Sequence, residues 1–290
     1  MKLVQHFYMK ALILWLSDAK RIQNFDRLIK ELADYGIGTF VFREDSSEEM
    51  RSAKDALYVT DSGAHAAALM AKGLAVMAYL HEDNRAESFA GILYGCEAPE
   101  EIGAVFLDRA YRRYRGIPWE ILETARCRLR ETTVEDVDAF VEIYSAPGIT
   151  RYTEALYEDP DQEKAYLREY IEKIYTYYEY GVWTVLDRET GEIIGRAGFS
   201  ERAGYDLPEL GFVIATPHQG KGIATEICRA ILKYGAEYLD FQQVQSLVRP
   251  ENEISLALCK RLGFTERGRV LEEDHVTGIR HEYCQLIWSR

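Results

Sequence analysis

Apolar positions in the first 115 residues alternate between two rhythms. Short unbroken runs at 11–16, 39–42, 56–60 and 74–78 read as buried strands. Between them, Leu28, Ile29 and Leu32 recur at helical spacing within 25–35, closed by Gly36, and 64–71 reads as a small-residue helix before Gly73. Further helices are expected over 46–54 and 102–115. Strands and helices alternating through short glycine turns predict a parallel sheet, an α/β, Rossmann-like layer. Gly116-Ile-Pro-Trp119 then punctuates the pattern. The expected division is one domain over 1–125 and a second over 126–290.

The second part has a different order. An alternating strand at 126–130 precedes helices at 134–144 and 162–178. Strands at 182–186, 193–199 and 210–214 follow, separated by turns at 187–191 and 204–208, which predicts an antiparallel meander. A helix (222–238), a strand (244–248), a helix (253–262) and two closing strands complete a mixed α+β domain.

Composition narrows the function classes. The 290 residues carry 35 Lys+Arg against 48 Asp+Glu, a net charge of −13. That balance argues against a nucleic-acid surface, whose affinity comes from clustered cations, and leaves room for a cationic amine. The apolar run at 11–16 is far short of the roughly 20 residues of a membrane helix, and Lys2 and His6 ahead of it make a poor signal peptide. Five cysteines without C-x-x-C spacing point to neither a disulfide framework nor a metal centre, so a reducing, cytoplasmic setting is expected.

The most informative segment is Leu210-Gly-Phe-Val-Ile214 followed by His218-Gln-Gly-Lys-Gly-Ile-Ala-Thr225. A strand runs into a glycine-rich turn that opens a long helix. Gly220 and Gly222 remove Cβ atoms where the backbone must bend close to a ligand. The open amides and positive dipole end of the helix then form an anion site suited to pyrophosphate. A Walker A loop is excluded because G-x-x-x-x-G-K-[ST] is absent. A dinucleotide fingerprint fails at Thr225, where its last glycine should stand, and Asp240 closes a helix instead of ending a strand. A strand–helix turn with no ligand is the bland alternative. The remaining pattern is Gln219-x-x-Gly222-x-Ala224.

That pattern resembles the pyrophosphate loop of acetyl-CoA-dependent N-acetyltransferases of the GNAT superfamily. Residues 126–290 resemble a complete member, on the side of the ribosomal-protein N-terminal acetyltransferases. Arg128-Leu-Arg-Glu-Thr132, Gly148-Ile-Thr-Arg-Tyr152, and Asn252-Glu-Ile-Ser255 leading to Leu262-Gly-Phe264 carry the match in order. The resemblance implies acetyl-CoA as co-substrate, in a cleft where the 210–214 strand splays from the 244–248 strand. Backbone groups of Phe212, Val213 and Ile214 would hold the pantetheine and acetyl carbonyl. Gln219, Gly220, Lys221, Gly222, Ile223, Ala224 and Thr225 would hold the pyrophosphate. Asn252 would bond the pantetheine or the acceptor, with Ser255 nearby. Glu209 is the candidate base, acting through water, against the alternative of an exposed strand-start Glu. His218 reads as a loop residue.

Helical spacing places Asn252, Ser255 and Cys259 on one face and Ile254, Leu258 and Leu262 on a core stripe. Some family members place a Tyr seven residues after this Asn to protonate the departing thiolate. Cys259 stands there, a conceivable donor given a thiol's ordinary pKa of about 8.5, or a packed small hydrophobe. Tyr166, Tyr170, Tyr175, Tyr177, Tyr178 and Tyr180, with Glu154, Glu158 and Asp159, either roof an acceptor site for a cationic amine or pack a helix on the sheet. The acceptor is a small amine or a protein N-terminus. The contrasting class is a non-enzymatic sensor of acetyl-CoA or CoA.

Leu57-Tyr-Val-Thr-Asp-Ser62, with Ala66, Leu69, Gly73 and Val76, faintly resembles the late acidic motif of haloacid-dehalogenase-like phosphatases. Those enzymes need an Asp-x-Asp pair at the end of the first strand, where this chain has Ser17-Asp18 alone. A degenerate, non-catalytic Rossmann-like module is therefore expected, serving binding, regulation or homodimer contacts. Asp61 and Ser62 mark where a ligand would sit.

Overall fold

All four short apolar runs of the N-terminal part become strands. In the computed structural model, which describes residues 6–43, 46–48, 50–273 and 278–290, they are β1 (Ala11–Trp15), β2 (Gly38–Val41), β3 (Ala56–Thr60) and β4 (Ala75–Tyr79), joined by β5 (Tyr94–Cys96). The sheet order is β2-β1-β3-β4-β5, with every neighbouring pair parallel. Every residue of β3 and β4 is buried, the reason those strands read as unbroken apolar runs instead of alternating ones. Helices α1 (Asp26–Asp34) and α2 (Gly63–Ala71) connect β1 to β2 and β3 to β4, and α3 (Ala104–Tyr114) follows β5. Leu28 and Leu32 are the buried stripe of α1. Of the helix expected over 46–54, Glu49 lies outside the described residues. The described remainder forms turns, with the Arg51 N–H donating to the carbonyls of Ser47 and Glu48.

The second unit is a mixed sheet. Its elements are β6 (Glu120–Glu123), β7 (Cys127–Arg130), α4 (Val137–Ser145), α5 (Pro160–Tyr170), α6 (Thr176–Tyr178), β8 (Val182–Asp187), β9 (Ile193–Ser200), β10 (Glu209–Ile214), α7 (Ile223–Tyr238), β11 (Gln243–Val248), α8 (Glu253–Leu262), β12 (Thr265–Glu273) and β13 (Arg280–Ser289). The strand order is β12-β13-β11-β10-β9-β8-β7-β6, antiparallel except between β10 and β11. The expected element order is present, with β6 added in front. That strand pairs antiparallel with β7. The compact units divide between Trp119 and Glu120, directly after Gly116 and Pro118 and ahead of the 125/126 division expected from the strand pattern that opens at Arg126.

Three local features set the frame around β10. First, Asp136 joins β7, α4 and β8: both its carboxylate oxygens accept from Arg130 at 2.7 Å, and Oδ2 also accepts from the Thr184 hydroxyl at 2.7 Å and the Thr133 N–H at 2.9 Å. Burial alone would raise its pKa, but these donors hold the carboxyl below its usual range. Second, α5 runs into α6 through a π-helical turn, Ile171–Tyr175. Tyr175, fully buried, accepts there from the Thr132 N–H and donates to the Val182 carbonyl at 2.6 Å. Third, a Cβ on Gly198 would come within 2.1 Å of the Gly181 carbonyl oxygen, so β8 and β9 meet where only glycine fits. On the other face, Trp183 and Tyr234 meet edge-to-face at 5.6 Å and anchor α7 to the sheet.

Candidate active site

β10 and β11 share a single register pair, Glu209 opposite Gln245. Beyond it the strands part. The divergence is braced at its base: the Gln245 N–H donates to the Pro208 carbonyl (2.9 Å), its buried side chain donates to the Leu207 carbonyl (3.2 Å), and Gln285 donates to its Oε1 (3.1 Å). One residue further, the Ser246 hydroxyl reaches the Leu210 carbonyl at 3.2 Å.

The opening leads into a cleft of about 1310 Å³. Phe212, Val213 and Ile214 line one wall, and Gly220, Gly222, Ile223, Ala224 and Thr225 line the mouth. Gly220 (φ +70°) and Gly222 (φ +77°) both sit in the left-handed region that L side chains resist. Gly222 is the N-cap of α7, and the first helical amide to bond a carbonyl is that of Glu226, onto Gly222 at 3.1 Å. The amides ahead of it have no intrahelical partner. The Gln219 side chain also lines the cleft, but its Nε2 donates to the Ile214 carbonyl at 2.8 Å, so it shapes the turn. Lys221 is exposed, outside the cleft lining; its carbonyl accepts from Arg126 at 2.7 Å.

Arg126 secures the loop from β7's side. Its Nε and backbone N–H donate to Glu226 at 2.7 and 2.9 Å. Burial would raise the Glu226 carboxyl, yet hydrogen bonds from Thr124 and Arg126 hold it below its usual range. Arg229, Lys233 and Arg261 also line the cleft. Sequence reading missed these cations. The available signal was helical phase: Arg229 and Lys233 are one turn apart on the helix that Gly222 opens.

Asn252 and Ser255 border the same cleft, and the Asn252 side chain caps α8 by accepting the Ser255 N–H at 3.2 Å. The faces expected for α8 from helical spacing are rotated in the fold. Ile254, expected in the core, is 82% exposed and lines the cleft, whereas Cys259 is 1% exposed. The inward stripe is Leu258, Cys259 and Leu262. Ile254 falls off it because the first helical turn projects past the core to the cleft. Burial pushes the Cys259 thiol up to about 11, against a hydrogen bond with Ser246. Tyr152, from the Gly148 segment, lines the cleft and donates to the Glu251 carbonyl at 3.1 Å.

Glu209 is buried at the divergence, not exposed at a strand start. Its Oε2 accepts from Arg202 Nε at 2.5 Å, and the carboxylate also accepts from the Leu247 N–H of β11. Burial outweighs these donors and raises its pKa above the usual carboxylate range. His218 lines the cleft mouth. The tyrosine run divides: Tyr175 is core, Tyr177 is 79% exposed, and Tyr166, Tyr170, Tyr178 and Tyr180 border a second pocket with Glu154. Asp159 caps α5, accepting from the Asp161 N–H at 2.9 Å.

In the N-terminal unit, strand order reverses between β1 and β3, where ligands of open α/β sheets gather. The buried Asp61 stands there, accepting from the Ser17 N–H (2.8 Å) and hydroxyl (2.7 Å), with His81 Nε2 at 3.3 Å. Asp18 caps the turn after β1 through the Lys20 N–H. Among the described residues, no cluster of three or more His, Cys, Asp or Glu could hold a metal ion, and no helix is long and apolar enough to cross a membrane.

Comparison with known proteins matches residues 126–265 to the family model described as acetyltransferase (GNAT) domain. The uncharacterized N-acetyltransferase p20 of Bacillus licheniformis is 28% identical over 165 residues, covering 55% of this chain and 90% of that protein. Spermidine N(1)-acetyltransferase of Escherichia coli (strain K12) is 30% identical over 70 residues, 24% of this chain and 38% of that one. Among solved structures, the ribosomal-protein-S5-alanine acetyltransferase from Vibrio fischeri superposes with a TM-score of 0.50 at 16% identity, covering 58% of this chain and 95% of that one. That likeness is one of fold.

Proposed function

Because residues 126–265 form a GNAT acetyltransferase domain, we propose that this protein transfers the acetyl group of acetyl-CoA directly to a primary amine. The observation that carries the reading is the β10–β11 divergence opening onto a glycine-capped helix N-terminus. The open amides from Gly220 onward suit the pyrophosphate, and Arg229, Lys233 and Arg261 suit a further phosphate on the same molecule. The strand edge at Phe212, Val213 and Ile214 offers donors to the pantetheine and to the thioester oxygen as it becomes an oxyanion.

The amine nitrogen attacks the thioester carbon, forming the N–C bond. The C–S bond then breaks, and the coenzyme leaves as a thiol. Glu209 takes the proton from the attacking nitrogen through water, a role that a pKa raised by burial favours. Asn252 and Ser255 border the thiol arm. Cys259 is assigned to packing, given its burial behind Ser246. Similar proteins are named for spermidine and for a ribosomal-protein alanine, so resemblance leaves the acceptor open.

The N-terminal unit we assign as a non-catalytic, haloacid-dehalogenase-like module. Ser17 and His81 already engage Asp61, and β1 ends on a lone Asp18 engaged in capping.

Thiol release from acetyl-CoA with a panel of amines tests the reaction. Turnover that depends on the amine is expected, and Gly222→Val is expected to abolish cofactor binding while leaving the fold intact. Thermal stabilisation by acetyl-CoA with no turnover on any amine would favour a sensor instead.

A further inference from the structure

A second pocket, of about 410 Å³, lies between α5 with its π-helical continuation and the end of β9. Its position ties it to Glu209. Ser200, on its lining, is the register partner of Glu209, and Arg202, also on its lining, bonds the Glu209 carboxylate at 2.5 Å. The cofactor cleft is bordered by the other end of the same strand, at Phe212 to Ile214. The two spaces therefore flank the same strand, the pocket reaching its Glu209 end through Ser200 and Arg202 and the cleft bordering its Phe212 to Ile214 end.

The chemistry of the pocket is aromatic and acidic. Tyr166, Tyr170, Tyr178 and Tyr180 supply ring faces, and Tyr166 leaves 48% of its surface exposed. Arg202 is one guanidinium among three carboxylates: Glu209 at 2.5 Å, Glu154 at 3.9 Å and Glu272 at 4.0 Å. Its closest hydrogen bond is committed to Glu209, which leaves Glu154 weakly compensated. Lys173 is engaged with Glu169 at 3.0 Å. Glu201 accepts from the Tyr180 hydroxyl and has no cationic partner among the described residues. A cavity with ring walls and surplus carboxylates favours cations separated by methylene groups, since ammonium groups are drawn to both ring faces and carboxylates.

We propose that this pocket takes an aliphatic diamine or polyamine, with the reacting amine at the Glu209 end and a second ammonium held by Glu154 and Glu201. The proposal rests on the amine-acetylating reading of the β10 site, and it adds the acceptor class. Methylene groups between the charges lie on the tyrosine rings.

Calorimetry on the full chain saturated with CoA tests it without turnover. We expect 1,4-diaminobutane to bind about tenfold more tightly than 1-aminobutane. Glu154→Gln and Glu201→Gln should each narrow that ratio by about threefold, while CoA affinity in the same variants stays unchanged. Equal affinity for the two amines, or a ratio that both variants leave intact, overturns the pocket assignment alone. Tighter binding of a peptide with a free N-terminal Ser or Ala overturns it in favour of a protein acceptor. A chain that fails to bind CoA overturns the acetyl-transfer reading as well.

Discussion

Glu209 shows how much one carboxylate is asked to do at this site. It bonds Arg202, accepts from Leu247 across the β10–β11 gap, and is held by burial above its ordinary pKa. As a base it works only when ionised, so the acid limb of kcat should lie above the pKa of about 4.3 expected for a free Glu. Glu209→Gln keeps the shape and removes that proton acceptor. Its turnover should fall by roughly 10²-fold or more, with partial recovery at high pH. A pH–rate profile that keeps the wild-type acid limb would remove Glu209 from the mechanism.

Asp136 presents the opposite electrostatics. Its folded pKa is depressed, so its stabilisation is complete above the unfolded value of about 3.9 and disappears as pH falls through the lower folded value. Asp136→Asn leaves Arg130 without its charge partner and should cost on the order of 3 kcal/mol at neutral pH. Urea unfolding at pH 7 and pH 3 checks both statements, since the difference between wild type and variant should shrink at the lower pH. The residue scale is also where the sequence was least legible. Nothing in the chain's pattern separates Glu209 buried at a divergence from Glu209 exposed at a strand start, because its burial comes from Arg202 and β11 folding over it. Cys259 and Ile254 exchanged places for a related reason: helical spacing gives relative angles, and only packing gives the absolute phase.

Elements were far easier to read. β3, β10 and α8 stand within one residue of their expected bounds because apolar runs, glycine caps and the Asn252 cap are all local signals. β5 and β6 were not legible. One has three residues with a central glycine, and the other is a four-residue edge strand whose only strand partner among the described residues is β7. The π-helical turn at Ile171–Tyr175 was equally hidden, since Tyr170 and Tyr175 are tied by hydrogen bonds to Val182 at the start of the next strand, contacts that helical spacing does not report. The loop and α7 also work as one element: glycines at the cap free the amides, and the cations follow further along the same helix. Arg229 belongs to that second part. Arg229→Ala should raise KM for acetyl-CoA about tenfold while leaving KM for 3′-dephospho-acetyl-CoA nearly unchanged. Equal losses on both substrates would place Arg229 away from the 3′-phosphate.

At the scale of the molecule, the −13 charge is a poor guide to what either pocket sees. The cleft beside β10 is lined by Arg126, Arg151, Arg229, Lys233 and Arg261 with Glu226, while the tyrosine pocket is lined by Glu154, Glu169 and Glu201 with Lys173 and Arg202. Net charge averages two opposite local fields, and the folded positions of a few side chains decide each one. The sheet of the second unit holds a comparable division. Its eight strands are continuous in order, yet β10 and β11 share only the Glu209–Gln245 pair. Mechanically it is a five-stranded block and a three-stranded block riveted at one end. Each block can open to solvent with its own free energy, and a molecule lying along the gap couples them into a single cooperative unit. Amide hydrogen exchange should record that coupling. With acetyl-CoA bound, protection should rise along both β10 and β11 and, through them, in β9 and β13. Protection confined to the 220–225 loop would mean that the blocks stay uncoupled.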